Sequence, residues 1–270
     1  MKIVILAPIK NSLYSLLITH LCLREPGVEV SGIVLCKVLN LRRIKSEFRR
    51  DGIRLLRKVW RKMILDNQSS IAQEEDSFRT TARRVGLGFR SLPKLARKHQ
   101  IPLIRVKDLN GADSISFLKK HRPDLVAFTG GGMIRKQVFD ASGLGVLNVH
   151  MGILPPYRGM DVVEWPVLEG RHKDVGLGVT LHFMDNGIDT GPIVAAQRVP
   201  LKKGDTFQRL RARYEGAMVE LMMMGVKMAR DRDLQPKAQS KDDGQQYFVM
   251  HPRLRHVAEK RLASIVSEID

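Results

Sequence analysis

Asp124-Leu125-Val126-Ala127-Phe128-Thr129-Gly130-Gly131-Gly132 is the stretch that decides the fold. Four unbroken apolar residues, fenced by an aspartate and a glycine triplet, are too short for a buried helix. They read as a strand covered on both faces, the kind a parallel sheet requires. Downstream, a helix around Gln137 to Ser142 leads to a second apolar strand, Gly145 to His150. Upstream, Ile3 to Leu6 reads as the first strand, Ser12 to Arg24 as a helix and Val28 to Leu35 as the second strand. Pro102 to Val106 is a third strand and Ser114 to His121 a helix. Strands alternating with short helices predict an α/β fold with a doubly wound, mostly parallel sheet of Rossmann-like type.

The pattern changes after Gly178. Val179, Leu181 and Phe183 alternate with Thr180, His182 and Met184, and a polar loop then leads to Ile193-Val194-Ala195. This predicts two antiparallel strands joined by a long structured loop. A helix is expected over Thr206 to Arg230, with a Met-rich face suited to the core or a subunit interface. The expected organisation is a catalytic domain over 1–205, carrying a basic helical insertion at about 37–98, followed by a helical extension over 206–270.

The chain has 270 residues and a formal charge of +18. That surplus favours an anionic partner and says nothing about fold. It is concentrated: residues 37–98 hold 18 Lys/Arg against six Asp/Glu, leaving +6 for the other 208 residues. Within the insertion, Leu41, Ile44, Phe48, Leu55, Val59 and Met63 recur at helical spacing opposite a face of arginines and lysines. An amphipathic basic helix bent at Gly52 is expected there, with Gln68 to Arg90 as a mobile connection and Leu92 to Gln100 as a short helix. Two readings of residues 40–65 stay open. One is docking to an anionic membrane surface or a polyanion; the other is an arm packed on its own domain or on a second copy in a homodimer. Two cysteines, Cys22 and Cys36, exclude a disulfide framework and suit a reducing compartment. With no long apolar window, the expected location is the cytoplasm, peripheral to the membrane if the basic helix docks there. No Gly-x-Gly-x-x-Gly follows the first strand, where Ala7-Pro8-Ile9-Lys10-Asn11-Ser12 stands, so a dinucleotide cofactor is not expected.

Asn148 and His150 are two apart on a strand and share a face, at the end where open α/β sheets place their ligands. Gly152-Ile153-Leu154-Pro155-Pro156 follows as a loop that can continue neither strand nor helix. Asp189 offers a carboxylate in a second fixed loop, Asp185-Asn186-Gly187-Ile188-Asp189-Thr190-Gly191. An amide, an imidazole and a carboxylate suit acyl transfer to an amine: Asn148 donates to an oxyanion, His150 moves a proton, and Asp189 accepts one or stabilises an imidazolium. No Ser or Cys stands in a nucleophile elbow, so direct attack is expected in place of a covalent acyl-enzyme. Arg158 reads as a loop cap, His182 as a structural histidine and Asp185 as a turn-former.

Asn148-Val149-His150, Leu154-Pro155-Pro156-Tyr157-Arg158-Gly159 and Asp185-Asn186-Gly187-Ile188-Asp189-Thr190-Gly191-Pro192-Ile193 together resemble the 10-formyltetrahydrofolate-dependent formyltransferases. That group includes the methionyl-tRNA, glycinamide ribonucleotide and sugar N-formyltransferases. The resemblance covers about residues 100–205. It implies Asn148, His150 and Asp189 as the catalytic trio and 10-formyltetrahydrofolate as co-substrate, without a metal. It also implies folate-binding walls at Gly131, Gly132, Met133 and Ile134, at Gly152, Ile153, Leu154 and Pro155, and at Asp185, Asn186, Gly187 and Ile188. The sequence departs from the family at Met151 and Gly152, where small polar or Pro residues and Ser are usual, and at Arg135, where an apolar residue is common. The expected acceptor is a small primary amine such as a nucleotide-linked amino sugar. A methionyl-tRNA acceptor is less expected, because about 65 residues follow the core where that group carries a β-barrel. Hydrolysis of formyl-folate and a non-catalytic basic docking module are the other readings.

Overall fold

A computed structural model describes residues 1–36 and 77–269. The basic helix expected over residues 41–64, and the first part of the connection that follows it, lie outside the described residues. The strands and helices are β1 (Lys2–Ala7), α1 (Leu13–Cys22), β2 (Glu29–Cys36), α2 (Phe78–Arg84), α3 (Leu92–Lys98), β3 (Leu103–Val106), α4 (Ala112–His121), β4 (Leu125–Phe128) and α5 (Lys136–Phe139). They continue with β5 (Val146–His150), β6 (Tyr157–Gly159), α6 (Trp165–Leu168), β7 (Gly178–Phe183), β8 (Ile193–Arg198), α7 (Phe207–Arg230), β9 (Gln245–Tyr247) and α8 (Pro252–Ser267).

Seven strands form one sheet in the order β3-β2-β1-β4-β5-β7-β8. The first five run parallel, β7 is antiparallel to β5, and β8 is antiparallel to β7. The doubly wound reading and the terminal hairpin are both present. Ile3, Val4, Ile5 and Leu6 of β1 are wholly buried, as are Leu125, Val126 and Ala127 of β4, because helices cover both faces of the sheet. On β5 the faces separate. Leu147 and Val149 join the core under α1 and α7, while Val146 joins the second core with Ile134, Val138 and Met184. Asn148 and His150 share the Val146 side by the two-residue period.

Two expectations change. Residues 78–84, expected in a mobile connection, form a helix whose Ala82 is in the core. Phe78 stacks on Tyr14 with centroids 5.1 Å apart, and its backbone N–H donates to Glu215 Oε2 at 2.8 Å. The polar composition concealed two apolar residues that face α1 from one side of a short helix. Residues 206–270, expected as a helical extension, begin with a helix that lies in the main core. Leu210, Tyr214, Leu221, Met222 and Val226 of α7 pack with Leu147 and Leu181 of the sheet. The same region also holds a strand, β9, paired parallel with β6.

α8 is tied to the rest through a buried carboxylate. Glu164 is fully buried and pairs with Arg211 of α7 at 2.6 Å and Arg255 of α8 at 2.9 Å, while Arg255 also reaches Asp161 at 2.9 Å. Removing one partner of a buried pair strands the remaining charge. Glu164→Ala should therefore destabilise the protein by about 3–5 kcal/mol in a denaturant titration. Arg255→Ala should cost less, because Arg211 still pairs with Glu164.

Candidate active site

The antiparallel pairing of β5 with β7 sets Asn148 opposite His182 and His150 opposite Thr180. All four side chains are 9% exposed or less. The loop after β7 then carries Asp189 back over the ends of these strands. Its carboxylate Oδ2 lies 3.3 Å from His150 Nδ1 and accepts the Gly159 backbone N–H at 2.9 Å. Asn148, His150 and Asp189 therefore converge, although Asp189 follows His150 by 39 positions in the chain.

His182, read from the sequence as structural, is part of the same cluster. Burial pushes its pKa down to about 4, against the opposing pull of Asp189, so the ring is neutral near pH 7. Its Nδ1–H donates to the Phe183 carbonyl at 2.8 Å, which leaves Nε2 as an acceptor. Asn148 Nδ2 donates to that nitrogen at 3.3 Å. One amide hydrogen of Asn148 is thereby committed and the orientation of the amide is set, leaving its second N–H to donate elsewhere. Asp189 Oδ1 stands 3.7 Å from the same Nε2 and accepts no hydrogen bond among the described residues. His150 has an acceptor at each ring nitrogen: Asp189 Oδ2 at Nδ1, and the Tyr157 carbonyl 2.9 Å from Nε2. A neutral ring donates to only one of them, whereas a doubly protonated ring donates to both.

Each of the three expected loop walls is pinned by a side chain, and two of these, Thr180 and Asn110, sequence reasoning missed. Thr180 Oγ1 donates to the Gly152 carbonyl at 2.7 Å and accepts the Leu154 N–H at 3.1 Å, holding Gly152, Ile153, Leu154 and Pro155 beside His150. Asn110 Nδ2 donates to the Met133 carbonyl at 3.0 Å and Oδ1 accepts the Arg135 N–H at 2.7 Å, so it brackets Ile134. Asp185 Oδ1 accepts from the Gly187 N–H at 2.9 Å and from Thr190 Oγ1 at 2.7 Å, the turn-forming role expected of it. Gly131, Gly132 and Met133 are exposed, Ile134 and Leu154 are buried, and Asn186 and Gly187 lie at the surface. The departure at Gly152 has a steric cause. A Cβ there would stand 2.9 Å from His150 Nε2 and 2.7 Å from Val162 Cγ2, so a larger residue would press on the imidazole. The Thr180 and Asn110 ties have no local sequence signature, since each spans 23 residues or more.

The His182 environment makes stability depend on pH. A histidine with its folded pKa lowered to about 4 binds less proton than the unfolded chain between that value and the ordinary 6.5. Stability is then complete above about pH 6.5 and falls as the pH drops toward 4. The contribution is on the order of a few kcal/mol. Thermal melts should show a smaller loss of Tm between pH 7 and 4.5 in His182→Leu than in the parent protein.

Residues 79–226 match the family model described as formyl transferase. The methionyl-tRNA formyltransferase of Azobacteroides pseudotrichonymphae genomovar. CFP2 is 31% identical over 140 residues, 52% of this chain and 40% of that protein. The methionyl-tRNA formyltransferase of Syntrophus aciditrophicus (strain SB) is 31% identical over 134 residues, 49% of this chain and 42% of that protein. The chain thus spans about two fifths of the length of these curated relatives. Among solved structures, the N-formyltransferase from Helicobacter canadensis in complex with folinic acid and dTDP-3-aminofucose superposes with a TM-score of 0.57. The two are 16% identical, and the alignment covers 97% of this chain and 80% of that one. Phosphoribosylglycinamide formyltransferase from Anaplasma phagocytophilum gives a TM-score of 0.54 at 20% identity, covering 92% of this chain and 99% of that one. Both likenesses concern the fold. The family match takes in β3 to β8, every strand and loop that builds the Asn148–His150–Asp189 cluster, and runs over more than half the sequence: this protein belongs to the formyl transferase family.

Proposed function

We propose that this protein transfers a formyl group from 10-formyltetrahydrofolate to a primary amine by direct attack through a tetrahedral intermediate. The observation that carries the reading is the convergence of Asn148, His150 and Asp189 at the C-terminal end of β5, beside loops fixed by Thr180 and Asn110. The folate supplies an activated formyl carbon on N10. The incoming amine nitrogen bonds to that carbon while the carbonyl electrons move onto oxygen. The Asn148 N–H that His182 does not hold donates to the developing oxyanion. Asp189 Oδ1 takes the proton the amine must lose. When the carbon–N10 bond breaks, N10 needs a proton, and His150 Nε2–H delivers it by exchanging the Tyr157 carbonyl for N10. Gly131 to Ile134, Gly152 to Pro155 and Asp185 to Ile188 form the folate walls in this reading.

The acceptor placed first is a nucleotide-linked amino sugar, by analogy with fold neighbours that bind such substrates and align with 97% of the chain. A specific observation favours methionyl-tRNA as a second reading. The curated relatives at 31% identity are methionyl-tRNA formyltransferases, and a charge of +18 suits phosphate contacts.

The test is to incubate the protein with 10-formyltetrahydrofolate and either a panel of amino-sugar nucleotides or methionyl-tRNA, following folate release and formylated product. Formylation of one acceptor class identifies it. Folate release without any amine would point to hydrolysis, and no turnover under any condition would sink the reading. Asn148→Ala should lower kcat by about 10²–10³-fold, the cost of losing one oxyanion donor. Asp189→Asn, which keeps the shape but not the base, should lower it by at least about 10²-fold.

A further inference from the structure

Residues 237–247 run across the back of the Asp189 loop and touch it at successive points. Lys237 and Ile193, at the start of β8, exchange both backbone hydrogen bonds at 2.8 Å. Two residues on, Gln239 Nε2 donates to the carbonyls of Asp189 at 3.2 Å and Gly191 at 2.6 Å. The other end of the same amide, Oε1, accepts from Arg158 Nη2 at 3.3 Å, and that nitrogen also donates to the Ser240 carbonyl at 2.7 Å. Arg158 is 4% exposed. Burying a guanidinium is expensive unless acceptors surround it, and two of the acceptors here come from Gln239 and its neighbour. Farther along, β9 pairs with β6, whose last residue, Gly159, donates its N–H to the Asp189 carboxylate. Gly244 lies so close to this region that a Cβ would collide with the Pro155 carbonyl.

Asp189 itself has φ +54, in the left-handed region that costs a non-glycine residue of order 1 kcal/mol or more. Its backbone needs external ties to hold that conformation, and the Gln239 amide supplies two hydrogen bonds within three residues of it. The carboxylate direction follows from the backbone, so whatever holds the Asp189 and Gly191 carbonyls also sets where Oδ2 meets His150.

We propose that Gln239 is a positioning residue for Asp189: its amide, seated by the buried Arg158, holds the Asp189–Gly191 backbone so that the carboxylate faces His150. The inference rests on the formyl-transfer reading for its consequence in catalysis. The geometric part stands apart from it.

Gln239→Glu is the discriminating variant. It keeps the length of the side chain and its acceptor for Arg158, but replaces both N–H donors with a carboxylate oxygen facing two carbonyls. Gln239→Met removes the donors without adding charge. Each variant should lower kcat by about 10- to 100-fold, as displacement of a reacting group by about an ångström does, with the KM for 10-formyltetrahydrofolate within twofold of the parent. In both, the ring resonances of His150 in ¹⁵N-histidine-labelled protein should shift, while those of the exposed His256 on α8 stay in place. Unchanged kcat with unshifted His150 resonances would overturn the proposal. So would a parallel loss of kcat, folate affinity and Tm, the mark of a merely structural side chain. If the parent protein formylates no amine yet the His150 resonances shift in both variants, the formyl-transfer reading falls and the positioning of Asp189 by Gln239 stands.

Discussion

Asn148 and His182 face each other across one antiparallel pair, β5 against β7, and the hydrogen bond between them organises the site. It exists because His182 is too deeply buried to hold a second proton and because Phe183 takes the first. A charged His182 would have no lone pair to offer, and the Asn148 amide would lose the partner that fixes its orientation. Burial of His182, on the face of β7 opposite α7, is therefore a chemical requirement as well as a packing one.

The same strand pair explains how several polar groups share so small and buried a volume. Each buried donor or acceptor left unpaired would cost about 1–3 kcal/mol. Here the partners interlock. Thr180 takes up the Gly152 carbonyl and the Leu154 N–H, while Tyr157 and Asp189 meet the two nitrogens of His150. Asp189 is in turn held by Gly159. Loops that would otherwise be free to move become walls because strand side chains at fixed two-residue spacing reach their backbones. The parallel half of the sheet supplies rigidity, and the antiparallel hairpin supplies the groups that aim the loops.

Much of this was legible in the sequence. The apolar runs of β1, β4 and β5 marked strands buried on both faces, and the spacing of Asn148 and His150 put them on one face. The glycine- and proline-rich stretches after β5 and β7 marked the loops that stand beside them. The role of Asp185 as a turn-former followed from its own neighbours. What escaped were contacts made across register or over long separations. Phe78 looked like part of a polar connection until Tyr14 stood against it. His182 looked like an ordinary strand histidine, because nothing local says which residue faces it on the next strand. Thr180, Asn110 and Gln239 are common polar residues whose meaning lies in the backbone groups they reach.

The sequence alone determined the type and order of the elements, because hydrophobic periodicity and turn residues act within a few positions along the chain. It also determined the chemical kinds of group available at the end of β5. The tertiary structure decided which of those groups meet. Register pairs Asn148 with His182, a left-handed Asp189 turns its carboxylate onto His150, and a segment from beyond α7 returns to hold that loop in place. Hydrogen bonds are directional and short, so residues far apart in the chain acquire a joint function only when the whole fold brings them within about 3 Å of each other.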